Sequence, residues 1–434
     1  MVIPTGFPCP GPEKCKYSGE KDKINMEGIS ETLGNWVAGL AAGDIPQAAA
    51  REAKRCLVDV LAAALAGAAG PLGTMVRAHT TREYAAGPCT VLGEFDGSGP
   101  SGAAFANGVA AHAYDFDDTC YAGIVHGSAV VFPAVLAAAE ATGASGQQLL
   151  TAFVAGVETE YTLGKVLGDH LFLKGWHPTT VLGAIGATAG VSKVLGLDAR
   201  ETARALGIAG SQAGSLQTGK GTPVKPFLAG RAAESGVHFA HMAKSGLEAP
   251  LTAFEQERGF IQVVNDGHAD LSRLDDLGKT YRLINPGVAL KLYPLCSATQ
   301  AAVEETARIL ADEAIDTEAV ESVLVEVTHL VAISLDYDRP QTPVEAQFSM
   351  PFAIGCILAF DKLGLDCLNL ETLSDPRLAA AMAKVTMRES QELTRDPETP
   401  EKCPEGAWVT VRTADGKEFR RFNGLATGMP AKPM

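Results

Sequence analysis

Three short polar segments carry residue types that could move a proton. The first is Ala111-His112-Ala113-Tyr114-Asp115-Phe116-Asp117-Asp118-Thr119. If the preceding helix continues through it, Asp115 and Thr119 share a face, with His112 and Asp118 at three-residue spacing from Asp115. A carboxylate beside a histidine fixes the ring's tautomer or raises its basicity. The plainer reading is a helix end whose aspartates cap the next element. His126 follows after a short loop and is a candidate for the same cluster. The second segment is Gly175-Trp176-His177-Pro178-Thr179-Thr180. Pro178 suits the first turn of a helix, so His177 would sit at a helix N-terminus. That position favours a bound carboxylate and keeps the imidazole neutral, as a base must be. A structural loop histidine bonded to backbone is the equal alternative.

Lysines supply the complementary charge. Thr218–Lys225 is glycine-rich with Lys220 and Lys225, but it lacks the spacing of a phosphate loop. Lys225 could clamp a carboxylate, or simply be solvated. His238 and His241 lie three apart with no third ligand in pattern, so no metal site is expected. The third segment, Lys291-Leu292-Tyr293-Pro294-Leu295-Cys296, places a lysine before a turn and a cysteine at a helix start. A helix N-terminus would favour the Cys296 thiolate. A small buried hydrophobe is the commoner fate of such a cysteine.

The elements that must hold these residues are mostly helical. Apolar and small residues recur at helical intervals over 29–40, 47–69, 101–116, 128–144, 146–163, 181–195 and 231–244, with a pair of short helices expected in 198–216. After about residue 270 the pattern changes. Helices are expected at 296–311 and 352–361, and strands at 322–331, 384–388, 408–412 and 417–422. Asp415-Gly416 marks a hairpin. The expected fold is mainly α: a large all-helical domain over 27–268, then a smaller α+β lid domain over 269–434 with an antiparallel sheet. Residues 1–26, rich in Pro, Gly and Lys, read as a flexible arm.

Composition limits the function classes. The chain has 434 residues and a formal charge of -15, which disfavours a nucleic-acid partner but not a small anion in a basic pocket. Aromatics are only 6% while glycine numbers 46, so small side chains must carry much of the packing. Nine scattered cysteines give neither a disulfide framework nor a zinc pattern. The first residues lack a secretory pattern and the alanine-rich runs are short or broken, so a cytoplasmic protein with no membrane partner is expected.

These segments resemble the MmgE/PrpD family. The resemblance rests on His112–Thr119, the His126-Gly127-Ser128 turn, Gly175–Thr180, Lys225, Lys291–Pro294 and Ala346-Gln347-Phe348-Ser349-Met350-Pro351-Phe352, and it extends over most of 27–425. It implies a homodimer and polycarboxylate chemistry without a cofactor, as in 2-methylcitrate dehydratase, cis-aconitate decarboxylase and iminodisuccinate epimerase. It carries a polar pocket onto Asp115, Thr119, His126, His177, Lys225 and Lys291, with Tyr337 at a pocket-tyrosine position. Two residues depart from the decarboxylase pattern: Cys296 and Gln300 stand where histidines are found. Proton abstraction and return needs no leaving group. The expected activity is therefore an iminodisuccinate-like epimerase, with His177 as base, Cys296 or Tyr337 opposite, and Asp115 orienting the histidines. The alternative is a 2-methylcitrate dehydratase-like lyase, followed by cis-aconitate decarboxylase.

Overall fold

The computed structural model describes residues 28–212, 214–395 and 402–434. The proposed N-terminal arm, with Cys9 and Cys15, lies outside them.

Among the described residues, nine long helices carry the first part of the fold: α1 (Ile29–Gly39), α2 (Gln47–Ala69), α3 (Pro71–Glu83), α4 (Pro100–Ala111), α5 (Gly127–Thr142), α6 (Gly146–Leu167), α7 (Pro178–Val194), α8 (Ala199–Ser211) and α9 (Val224–Lys244). Helix α3 is absent from the sequence-based expectation. Pro71 does end α2, but it also opens α3, since proline is tolerated where the helix has no N–H to satisfy. A single helix, α8, replaces the expected pair, and Asp198 caps it by accepting from the Glu201 N–H at 2.8 Å.

Helices α5, α6 and α7 are buried over most of their length on all sides, which explains their lack of a polar face, whereas α9 keeps an exposed edge at Arg231, His238 and His241. Glycine makes this packing possible. A Cβ on Gly108 of α4 would stand 2.9 Å from the Gly230 Cα of α9, and one on Gly230 would stand 2.5 Å from the Phe105 carbonyl. The α4 and α9 backbones could not approach so closely with any larger residue.

The second part has its own apolar core, built from α10 (Ser297–Asp312), α11 (Met350–Phe360) and four strands. The strands are β1 (Val320–Val327), β2 (Val385–Glu389), β3 (Ala407–Thr413) and β4 (Glu418–Asn423), in the order β2-β1-β3-β4. The β3–β4 hairpin turns at Gly416 (φ 84°), as the Asp-Gly pair predicts. The sheet is mixed rather than antiparallel, because β2 pairs parallel to β1 in the register Val323↔Val385 and Val325↔Met387. A parallel neighbour needs a long crossover, and α11 with the short helices after it supplies one. The strand expected over 322–331 ends at Val327, where Thr328 caps a short helix. Mainly-α is the class.

The two parts meet at a small ladder. Thr119 and Cys120 pair antiparallel with Ala289 and Val288, which draws Lys291 towards the Asp115 turn. Among the described residues no single helix is long and apolar enough to cross a membrane.

Candidate active site

The site begins where α4 ends. The helix stops at Ala111 rather than running to Phe116, and His112 forms its C-cap. Asp115 then takes a left-handed backbone (φ 49°), a conformation Asp tolerates better than most residues. The helical alignment of Asp115 with Thr119 therefore does not exist. The turn instead folds Asp115, Asp117 and Asp118 inward, at 1%, 0% and 0% exposure.

Asp117, not Asp115, orients the histidines. Both its oxygens lie 2.9 Å from His112 Nδ1, and Oδ2 lies 3.2 Å from His126 Nδ1. His126 Nδ1 is also 2.8 Å from the Asp118 carbonyl, so two acceptors fix the proton on that nitrogen. With Nδ1–H directed at Asp117, His112 accepts at Nε2 from the Lys225 ammonium, 2.8 Å away. Burial, followed by the nearby Lys225, lowers the His112 pKa to about 4 against the pull of Asp117, so the ring is neutral at neutral pH. Asp117 is itself driven up by burial, but His112 and His126 hold it well below the usual carboxylate range.

Asp115 gathers the two lysines. Lys225 donates to Asp115 Oδ1, and Lys291 donates to the Asp115 carbonyl while standing 3.5 Å from Oδ2. Burial opposes ionisation of this carboxylate, yet Lys225 and Lys291 keep it below its ordinary value. Lys225 lies in the first turn of α9, earlier than the helix start expected near residue 231. Ligand atoms of His112, Asp115, Asp117 and His126 fall within 4.8 Å of one another, as a metal site would require. The Lys225 ammonium already bonds two of the four groups, so a positive charge is supplied there by the chain itself.

His177 is the N-cap residue of α7, as its sequence setting predicts. Its backbone N–H donates to the Ser215 carbonyl at 2.9 Å. The Thr180 hydroxyl donates its one proton to the His177 carbonyl at 3.0 Å and lies 3.2 Å from the ring Nδ1. In that arrangement Nδ1 is the donor in the second contact and the Nε2 lone pair is free; with the hydroxyl proton turned to Nδ1 the tautomer is reversed. Burial first, then Lys225, depresses the His177 pKa well below the ordinary value. The residue is 8% exposed and borders the cavity as a neutral base.

One cavity joins these residues to the second part of the fold. Asp115, Thr119, His126, His177 and Lys225 line it from the first part of the fold, and Cys296, Ser297, Phe348 and Glu405 from the second. Ile124, Phe172, Leu216 and Leu330 add apolar surface. Lys291 does not line the cavity; it is buried behind Asp115. Tyr337 also stands off the wall. Its hydroxyl donates to the Lys220 carbonyl at 3.3 Å and its ring packs on Gly221.

The thiolate expected at Cys296 is not supported. The residue does N-cap α10, but burial, then Asp115 and Glu405, push its thiol up to about 12. The helix end is outweighed by desolvation and two carboxylates. Gln300 is structural. Its Oε1 accepts from the Leu292 and Tyr293 N–H groups at 3.1 and 3.0 Å, and its Nε2 donates to the Tyr293 carbonyl at 3.0 Å. It clamps the turn that follows Lys291. The Ala346–Phe352 motif works similarly. The Gln347 carbonyl accepts from the Cys296 N–H at 2.9 Å, Phe348 lines the cavity, and the Ser349 hydroxyl accepts from the Phe352 N–H at 3.1 Å to cap α11.

Glu405 escapes sequence reasoning. It lies just before β3, outside every motif, and its carboxylate accepts from Tyr121 Oη at 2.5 Å and Ser297 Oγ at 2.7 Å. Burial lifts its pKa to about 6 against those two bonds. The role of Asp117 escapes it too, although the residue lies inside a motif, because spacing alone does not show which aspartate faces the rings.

A neutral histidine beside a lysine ammonium at a largely buried cavity supplies the parts that acid–base chemistry needs. The family follows from comparison. The family models for the MmgE/PrpD N-terminal domain and the MmgE/PrpD C-terminal domain match residues 31–271 and 293–434, and the chain belongs to the MmgE/PrpD family. The chain is 28% identical over 424 residues to a cis-aconitate decarboxylase-like protein, oryM, of Aspergillus oryzae, covering 92% of this chain and 86% of that one. It is 33% identical over 243 residues to the cis-aconitate decarboxylase of Homo sapiens, covering 54% of this chain and 50% of the human one. Against the 2-methylcitrate dehydratase of Cupriavidus necator it is 25% identical over 386 residues, covering 84% of this chain and 78% of that one. These relatives support an enzyme of the lyase type; they do not support the isomerase expected from the sequence.

Proposed function

We propose that this protein is a cofactor-independent lyase that eliminates water from a hydroxylated polycarboxylate of the 2-methylcitrate class. The observation that carries this reading is a neutral His177 bordering a cavity that also holds the Lys225 ammonium. His177 takes the proton on the carbon adjacent to a carboxylate. Lys225, anchored by His112 and Asp115, holds the negative charge that develops on that carboxylate. Lys291 acts from behind Asp115, keeping it ionised and in place. The electron pair of the broken C–H bond becomes the second bond of the alkene. The C–O bond on the next carbon breaks, and the hydroxyl leaves as water after protonation from the wall of Cys296, Ser297 and Glu405.

A second reading, decarboxylation of cis-aconitate, is favoured by the names of the decarboxylase relatives. It uses the same lysines but needs a proton delivered to carbon. One experiment separates the two. The protein is incubated with 2-methylcitrate and with cis-aconitate, and products are followed by proton NMR. An alkene tricarboxylate formed from 2-methylcitrate supports the first reading. Itaconate with released carbon dioxide supports the second. Slow exchange at carbon in deuterated water, with neither product, would return the epimerase. A homodimer and a cytoplasmic location belong to the same proposal and are tested by light scattering and by fractionation.

A further inference from the structure

The charges around the cavity do not suit a polyanion. Its inner cations are Lys225 and Lys291, and both are bonded to Asp115. Lys220, also at the wall, is paired with Asp336 at 2.7 Å. Asp117 adds a second inner anion, held by the His112 and His126 rings. With both inner aspartates ionised, the charges of Lys225 and Lys291 are matched, and an ionised Glu405 on the same cavity would tip the balance to negative. An entering polycarboxylate would bring its charges against that carboxylate in a poorly solvated space. Glu405 is faced by the Tyr121 and Ser297 hydroxyls, and Lys291, Asp115 and the Cys296 thiol act on it at longer range. Each of its oxygens accepts one hydroxyl bond and keeps a second lone pair, so either can carry a proton without breaking those bonds.

Resting on the reading of the site as a polycarboxylate lyase, we propose that Glu405 is a further catalytic group of the cavity it shares with His177, which takes up a proton as the substrate enters and donates it to the departing oxygen. Protons balance over the cycle. His177 gains the proton from carbon, Glu405 loses one to the leaving hydroxide, water departs, and solvent returns the proton from His177 to Glu405. Its pKa of about 6 places the group within reach of both states near neutrality. Cys296, pushed up to about 12, is the weaker acid of the same wall.

The test uses tricarballylate, a saturated tricarboxylate that cannot react, and calorimetry in buffers of different ionisation enthalpy. Wild-type protein should take up about one proton per ligand at about pH 7.5, and its Kd should weaken by up to about tenfold per unit above neutrality. Glu405→Gln should bind with no linked proton and a flat pH dependence. Tyr121→Phe, which removes one bond to the ionised form, should move the onset of weakening to higher pH. Binding by the wild type without proton uptake, or uptake that persists in Glu405→Gln, overturns the proposal and leaves the lyase reading standing. Uptake without turnover of any polycarboxylate overturns the lyase reading alone. Absence of tricarballylate binding removes both.

Discussion

Replacing Asp117 by Asn tests whether the histidine relay sets the position of Lys225. The amide is close to isosteric, but its NH2 can donate to His112 Nδ1, which the carboxylate cannot. The ring would then carry its proton on Nε2, and that N–H would point at the Lys225 ammonium across the present 2.8 Å. Two donors would face each other, and Lys225 would lose one of its two anchors. A hydrogen bond to a charged group contributes about 1.5–3 kcal/mol, so its loss in the transition state lowers kcat/KM about 10- to 150-fold. Removal of one partner from a buried, charge-assisted pair also lowers stability by about 3 kcal/mol. The assay is kcat/KM on whichever polycarboxylate the wild type turns over, measured well below the melting temperature of the variant. Nitrogen-15 spectra of the histidines report the tautomer. Activity within about threefold of wild type, with the His112 proton moved to Nε2, would refute the argument that this relay positions Lys225.

Three further outcomes are expected. His177→Ala should lower kcat by about 10²–10⁴-fold, the range for a lost general base, with little change in melting temperature. Cys296 should resist iodoacetamide at neutral pH, and Cys296→Ser should keep activity within about tenfold, because its thiol is pushed up to about 12; rapid, activity-abolishing alkylation would contradict this. Glu160, buried with neither carboxyl oxygen bonded, has its pKa raised by burial and by Asp118. A carboxyl raised on folding contributes its stability at low pH and loses it as pH rises past the unfolded value, by about 1.4 kcal/mol per unit up to its folded pKa. Glu160→Gln should therefore raise stability more at pH 8 than at pH 5; equal effects at the two pH values in denaturant titrations would falsify the assignment.

Much of the helical part is readable in the chain. The small-residue periodicity of 146–163 and 181–195 reports helices buried on all sides, and Pro178 marks the start of α7 with His177 as its cap. The strands around Val323, Val409 and Phe419 follow from alternation and from Asp415-Gly416. Direction of pairing is not readable, because parallel and antiparallel neighbours present the same alternation. Helix α3 is hidden because Gly70-Pro71 is as good a stop as a start.

The sequence by itself determined the residue types of several cavity groups, Asp115, His126, His177 and Lys225 among them, and the backbone setting of His177. His177 before proline is neutral at a helix end for local reasons as well as for its burial. Tertiary structure decided the rest. Whether α4 runs on or turns at His112 depends on where the buried aspartates find partners, and those partners lie on α9, on the His126 loop and beyond Ala289. The state of Cys296 also changed with context, since burial near Asp115 and Glu405 outweighs a favourable helix end. Glu405 joins His177 only because the second core closes over the first. Desolvation and charge are properties of the assembled surroundings, and spacing along a chain does not contain them.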